Sequence, residues 1–306
     1  LKRILITGAN GHLGQRLLRR VAARSPSGAA VVARAAVRSE QAASAVLAQG
    51  GSECSVVDYR DDDALARAAE GCHAIVHLVG ILKESSRTRY PEAHEATARA
   101  VAAAANKTGV RRVVYLSILG ANAASPNACL ASKGRAEEIL LGQLVPTTVI
   151  RLPMVLGAGE PAAIALRASA MRRILPLVRG GASREQPIDA DDVTAAILAA
   201  AARDDERAAR LDLAGPESLS RRQLVLRAAS LLRRQPRIVP LPLAFATAFA
   251  SLAERVLVNP PITRPMLEVL EQDDEIDPTP ACRALDLTLT PLEETIRRCV
   301  LPQGLS

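Results

Sequence analysis

The sequence predicts an α/β fold, a doubly wound parallel sheet with helices on both faces, followed by a smaller and irregular C-terminal part. Three observations carry this expectation. Short apolar runs rich in β-branched residues alternate with longer Ala/Leu/Arg helical stretches through the first half. A strand, a three-glycine turn and a helix start open the chain at Ile4–Gly14. After Arg151 the rhythm breaks: Pro153, Gly157, Gly159 and Pro161 mark a loop, and many prolines follow. The expected domains are residues 1–151, the sheet, and residues 152–306, a region that would cover the ligand crevice at the carboxyl ends of the strands.

In order, Arg3–Thr7, Ala30–Val37, Ser55–Val57, Ala74–Val79, Arg112–Ser117 and Thr147–Arg151 read as buried strands, since each is a short, nearly continuous apolar run. Between them, Leu13–Arg24, Glu40–Gln49, Asp62–Glu70, Glu92–Lys107 and Lys133–Leu141 read as helices. The stretch from Ser125 to Glu138 reads like the start of a well-capped helix.

A chain of 306 residues, 49% of them apolar, can bury a sizeable core and is not disordered. The net charge of +7 comes from basic residues scattered without a block, and only four of the 39 are lysines. Aromatic residues make up 2% with no Trp, so the platforms that stack single-stranded bases are missing, and nucleic acid is not an expected partner. Five widely spaced cysteines without a Cys-x-x-Cys or Cys/His cluster argue against a disulfide framework and against a metal site. No apolar run reaches the roughly 18 residues of a transmembrane helix, and no secretory h-region opens the chain. The expectation is a cytoplasmic protein.

The glycine turn carries the first chemistry. In Thr7-Gly-Ala-Asn-Gly-His-Leu-Gly14, Gly8 permits the sharp turn, Gly11 lets the backbone approach a pyrophosphate, and Gly14 lets helix and strand pack closely. Gly8, Asn10, Gly11, His12, Leu13 and Gly14 are therefore candidate contacts to a dinucleotide at the positive end of a helix. The second strand selects the cofactor. No acid occurs from Gly11 to Ser39, whereas Arg34 and Arg38 alternate to one strand face. An arginine suits a 2′-phosphate that a carboxylate would repel, so NADP(H) is favoured over NAD(H). Asp58 and Tyr59 close the third strand, where the acid could meet an adenine amino group. Leu78, Val79 and Gly80 close the fourth, where glycine would admit a ribose. His77 and Tyr115, inside apolar strands, read as core.

These residues resemble the extended and atypical short-chain dehydrogenase/reductases of the epimerase/dehydratase superfamily. The resemblance runs through Thr7–Gly14, Ala33–Ser39, His77–Ile81, Val113–Ser117, Ser132-Lys133 and Arg151–Gly157. His77–Lys83, Gln186–Val193 and Leu213–Glu217 look more narrowly like the branch that holds the nucleotide-binding accessory subunit of respiratory complex I and its bacterial relatives. The resemblance implies a Rossmann sheet, a small C-terminal substrate domain, a cofactor contact at Pro153, and a Ser, Tyr, Lys active site in which Tyr moves the proton, Lys holds the nicotinamide ribose and Ser binds the substrate oxygen. Ser117 and Lys133 match that set, but Cys129 stands where the Tyr would be.

Two functions follow as expectations. One is a tyrosine-independent reductase or isomerase of a small or apolar carbonyl compound, with Tyr90 a weak substitute acid. The other is a non-catalytic NADP(H)-binding protein for assembly, docking or redox sensing, with an unknown protein partner. Leu241–Ala253 is the most apolar stretch and holds both phenylalanines, at i and i+4. Core or interface packing is the plain reading of it, and an apolar pocket or contact with a membrane surface the one to test. Asp191-Asp192-Val193 looks like a helix N-cap.

Overall fold

Alternating strands and helices build a seven-stranded sheet in the computed structural model, which describes residues 2–24, 31–48, 53–61, 63–86, 88–257, 260 and 262–301. The elements are β1 (Lys2–Thr7), α1 (His12–Arg24), β2 (Val31–Val37), α2 (Glu40–Ala48), β3 (Glu53–Val56), α3 (Ala64–Ala69), β4 (Ala74–His77), α4 (Thr97–Lys107), β5 (Arg112–Ile118), α5 (Ala128–Leu141) and β6 (Thr147–Leu152). A seventh strand, Ala209–Asp212, lies beside β6, and the order continues β5, β4, β1, β2, β3. The pairs β1–β2, β2–β3, β1–β4 and β4–β5 are parallel. The order reverses between β1 and β4, the place where an open α/β sheet forms its ligand crevice.

The chain divides into two compact units. The first holds Leu1–Ile81, Thr88–Arg151 and Thr194–Leu211, and the second Leu82–Arg87, Leu152–Val193 and Asp212–Ser306. Segment 194–211, expected after the break, thus belongs with the sheet, to which it supplies the seventh strand. Leu5, Ile75, Val101, Val113 and Leu140 form the core of the first unit among many alanines, whose small volume lets helices lie close to the sheet. In the second unit, helices Pro161–Met171, Arg221–Leu231 and Leu292–Val300 pack around Leu166, Leu224 and Ile296.

Several ends differ from the sequence expectation. β4 stops at His77 and not Val79: Leu78 N still donates to Thr7 O at 3.2 Å, but the chain then crosses over Gly8. α5 starts at Ala128, five residues before Lys133, because the Asn127 side chain accepts from the amides of Cys129 and Leu130 at 3.0 and 3.1 Å. The stretch expected as one helix from Glu92 begins as a π-helical turn, Pro91–Ala96. The cap of helix Ala190–Ala202 is Asp189, whose carboxylate accepts from Asp191 N at 2.8 Å. Asp192 instead holds Thr290 through its amide and hydroxyl at 2.7 and 2.9 Å. The expected ends at Ala30, Gln49 and Asp62 lie outside the described residues.

Candidate nucleotide site

The turn after β1 has the form that a pyrophosphate requires. Gly8 takes φ +71°, a left-handed conformation open to glycine, and Gly11 N donates back to Gly8 O at 3.0 Å. A Cβ on Gly14 would lie 2.6 Å from Gly8 O and 2.7 Å from Ala9 Cα, so only glycine lets α1 sit against the turn. Asn10, Gly11 and His12 are exposed at the helix N-terminus, with Leu13 half-buried behind them. Their amide groups and the helix dipole make a cradle for an anion.

The strand ends divide the remaining candidates. Arg38 is exposed just beyond β2, where Ser39 Oγ caps α2 by accepting from Ala42 N at 3.2 Å. Arg34 is not beside it. It sits four residues, about 13 Å, back along the strand, and donates to Glu53 at 2.9 Å and to the carbonyls of Ala68 and Glu70 at 2.8 and 3.0 Å. It closes the C-terminal end of α3, so the expectation that both arginines stand together at the strand end is corrected: Arg34 is engaged elsewhere. Alternation fixes a face but not a height on that face. Asp58, at the surface after β3, is held by Arg60 through Nε at 3.0 Å and Nη2 at 2.8 Å, which keeps its carboxyl below the usual range. Burial pushes the Tyr59 phenol up to about 12, against a hydrogen bond with Thr7 and the charge of Arg38. Pro153 belongs to the second unit.

Beyond β4, Leu78 and Val79 pass over Gly8, and a Cβ on Gly80 would meet Lys133 Nζ at 2.8 Å. Lys133 is buried on α5. It donates to Leu116 O at 2.9 Å, lies 4.7 Å from the Tyr115 ring centroid, and is pushed down to about 8 by burial. Ser117 is buried near the end of β5, and its hydroxyl has no hydrogen-bond partner among the described residues. Cys129 is fully buried, with Sγ 3.8 Å from Ile81 O.

Thr7, His77 and Tyr115 stand in one register row across β1, β4 and β5. Thr97 donates its hydroxyl proton to Ala93 O at 2.8 Å, so it accepts from His77 Nε2 at 3.2 Å, and Nδ1 in turn accepts from Thr7 at 2.7 Å. With both ring nitrogens used, His77 is a core histidine, and burial holds it down to about 3.

The residue that sequence reasoning missed is His94, in the π-helical turn. Its Nε2 lies 3.1 Å from both N and O of Ile81, and its Cδ2 would be 3.7 Å from a Cβ on Gly80. Its Nδ1 is buried with no partner among the described residues, and burial with the nearby Lys133 charge lowers the ring's pKa to about 3. Its one sequence signal is the spacing of four from Tyr90, on which it stacks at 5.6 Å. Tyr90 is itself buried.

Cradle, glycine close approach, buried lysine and unpartnered serine together fit a nicotinamide dinucleotide. Residues 8–204 match the family described as NAD(P)H-binding. The chain belongs to the NAD(P)H-binding family. Among its relatives, the mitochondrial NADH dehydrogenase [ubiquinone] 1 alpha subcomplex subunit 9 of Arabidopsis thaliana is 28% identical over 71% of this chain and 54% of the relative. The ceramide reductase of Caulobacter vibrioides is 28% identical over 64% of this chain and 60% of the relative. The chain thus spans between about half and three-fifths of these two proteins. The UDP-glucuronic acid 4-epimerase of Bacillus cereus, solved with UDP-glucuronic acid and NAD, superposes with a TM-score of 0.74 at 13% identity, over 97% of this chain and 98% of that one. At that identity the likeness shows the shared fold. No helix among the described residues of this NAD(P)H-binding protein is long and apolar enough to cross a membrane.

Proposed function

We propose that this protein binds NADP(H) in preference to NAD(H) and keeps it as a stabilising or redox-sensing ligand for assembly or docking in the cytoplasm. The observation that carries this reading is Cys129. At the position where the resembled enzymes place a phenol, a fully buried thiol faces a backbone carbonyl. A small buried cysteine is packing, and it offers no proton relay to a substrate. The preference for NADP(H) rests on Arg38 and on the acid-free sequence around it. The cytoplasmic placement rests on the odd, scattered cysteines. The NADH dehydrogenase subcomplex subunit among the relatives supports an assembly role.

A second reading has its own support. Ser117 Oγ has no partner among the described residues, and a lysine near pKa 8 exchanges protons close to neutrality, so the pair could serve a reductase without the tyrosine. The ceramide reductase among the relatives points the same way. When bound, the nicotinamide supplies or accepts a hydride; the chain's part would be to orient the carbonyl by Ser117 and place a proton from Lys133.

One experiment separates the two. Nucleotide released from the purified protein is identified by mass spectrometry, and nicotinamide oxidation is followed over ketones, quinones and sugar nucleotides, with Lys133→Ala as control. The expected result is bound NADP(H), affinity for it about tenfold lower in Arg38→Glu, and no turnover above the control. Turnover that Lys133→Ala abolishes overturns the non-catalytic reading.

A further inference from the structure

Helix Leu243–Val256 turns its larger side chains outward. Phe245, Phe249, Leu252 and Val256 are 68%, 59%, 60% and 69% exposed, while Ala246, Ala250 and Ala253 are buried. Spacings of four, three and four set the exposed residues in one row along about 16 Å of helix. A surface helix ordinarily buries such a row, and an exposed apolar row of this kind marks an attachment site.

Pro242 joins the helix to strand Arg237–Leu241, which pairs in parallel with Ile174–Val178. The register sets Ile174 beside Arg237 and Pro176 beside Val239, and all four are exposed. Arg172 and Arg173 lead into one strand, and Arg233 and Arg234 into the other. Arg237 N donates to Arg173 O at 2.9 Å, so these arginines gather at one end of the strand pair. All five are exposed, and none forms an ion pair with a carboxylate among the described residues. From Arg233 to Leu257 the sole acid is Glu254, which is engaged by Arg264.

We propose that the exposed row of helix Leu243–Val256, assisted by the exposed arginines at the start of the strand pair, attaches the protein to an anionic lipid bilayer. The Phe/Leu/Val row enters the boundary between headgroups and acyl chains, and the arginines meet lipid phosphates. Lipid is favoured over a protein because the row carries no hydrogen-bonding group for directional recognition, whereas a headgroup boundary needs none. A helix of 14 residues is too short to span the bilayer and lies in its plane.

The test is co-sedimentation of the full chain with vesicles of phosphatidylcholine alone, and of phosphatidylcholine mixed with an equal part of phosphatidylglycerol. Binding to the mixed vesicles is expected, and to be about tenfold or more weaker without the anionic lipid. Phe245→Ser with Phe249→Ser lowers that binding by about tenfold at unchanged thermal stability and nucleotide affinity, because both rings are exposed. Arg172→Ser, Arg173→Ser and Arg237→Ser together erase the preference for anionic vesicles. No sedimentation with mixed vesicles, or sedimentation indifferent to the Phe pair, overturns the proposal. So does self-association in sedimentation velocity that the Phe pair abolishes while vesicles go unbound. The nucleotide titration stands or falls separately.

Discussion

Two buried histidines differ in what surrounds them. His77 spends both ring nitrogens on threonines, whereas His94 uses one and leaves the other buried with no partner among the described residues. Both are pushed from 6.5 to about 3 by burial. Between those values the unfolded chain takes up protons that the folded one refuses. Their contribution to stability is therefore present above pH 6.5 and is lost as pH falls toward 3. Near pH 5 the slope is about 1.4 kcal/mol per pH unit for each histidine. Denaturant melts at pH 5 and pH 7 are expected to show this loss, and His94→Gln to remove about half of the part owed to the pair. Ser117, Cys129 and Lys133 were legible because their spacing matches a family pattern. His94 was not, because the contact with Ile81 is made between the loop after β4 and a π-helical turn, neither of which local periodicity announces.

At the scale of elements, alternation of apolar runs made the strands and helices of the sheet readable, but their ends depended on contacts distant in sequence. The end of β4 is set by the crossing over Gly8, and the start of α5 by the reach of one Asn side chain. Arg34 was misplaced for the same reason, since Glu53 and the carbonyls of α3 that hold it lie 19 residues and more away. The α1 turn offers a sharp test. All three atoms that a Cβ on Gly14 would strike belong to the backbone and cannot swing aside. Gly14→Ala is expected to displace α1, cost about 2–4 kcal/mol of stability and reduce nucleotide affinity by about tenfold or more. Titration of NADPH fluorescence and thermal melts read the two effects.

Across the molecule, the return of residues 194–211 to the sheet unit was the feature least visible in advance, because nothing local marks which sheet edge a late strand will join. Arg112 shows how the return is held. Fully buried at the start of β5, it donates to Thr148 Oγ1 at 3.0 Å, to Asp205 Oδ1 at 3.0 Å and to the backbone carbonyl of Asp205. Arg112→Met keeps the bulk but strands these acceptors, and a loss of about 2–4 kcal/mol is expected in denaturant melts.

Glu137 does something of a different kind. This fully buried carboxylate accepts from Arg151 at 2.7 Å and forms an ion pair with Arg210 at 3.0 Å. Arg151 is the last residue of the first unit before the chain departs at Leu152, and Arg210 stands one residue before the end of the returning segment at Leu211. A single acid, one helical turn beyond Lys133, thus fastens both departures like one knot tying two cords. Glu137→Gln should therefore make two distant peptide bonds, near 152 and near 212, vulnerable to protease together, and a variant that exposed one without the other would show that the cords are tied elsewhere.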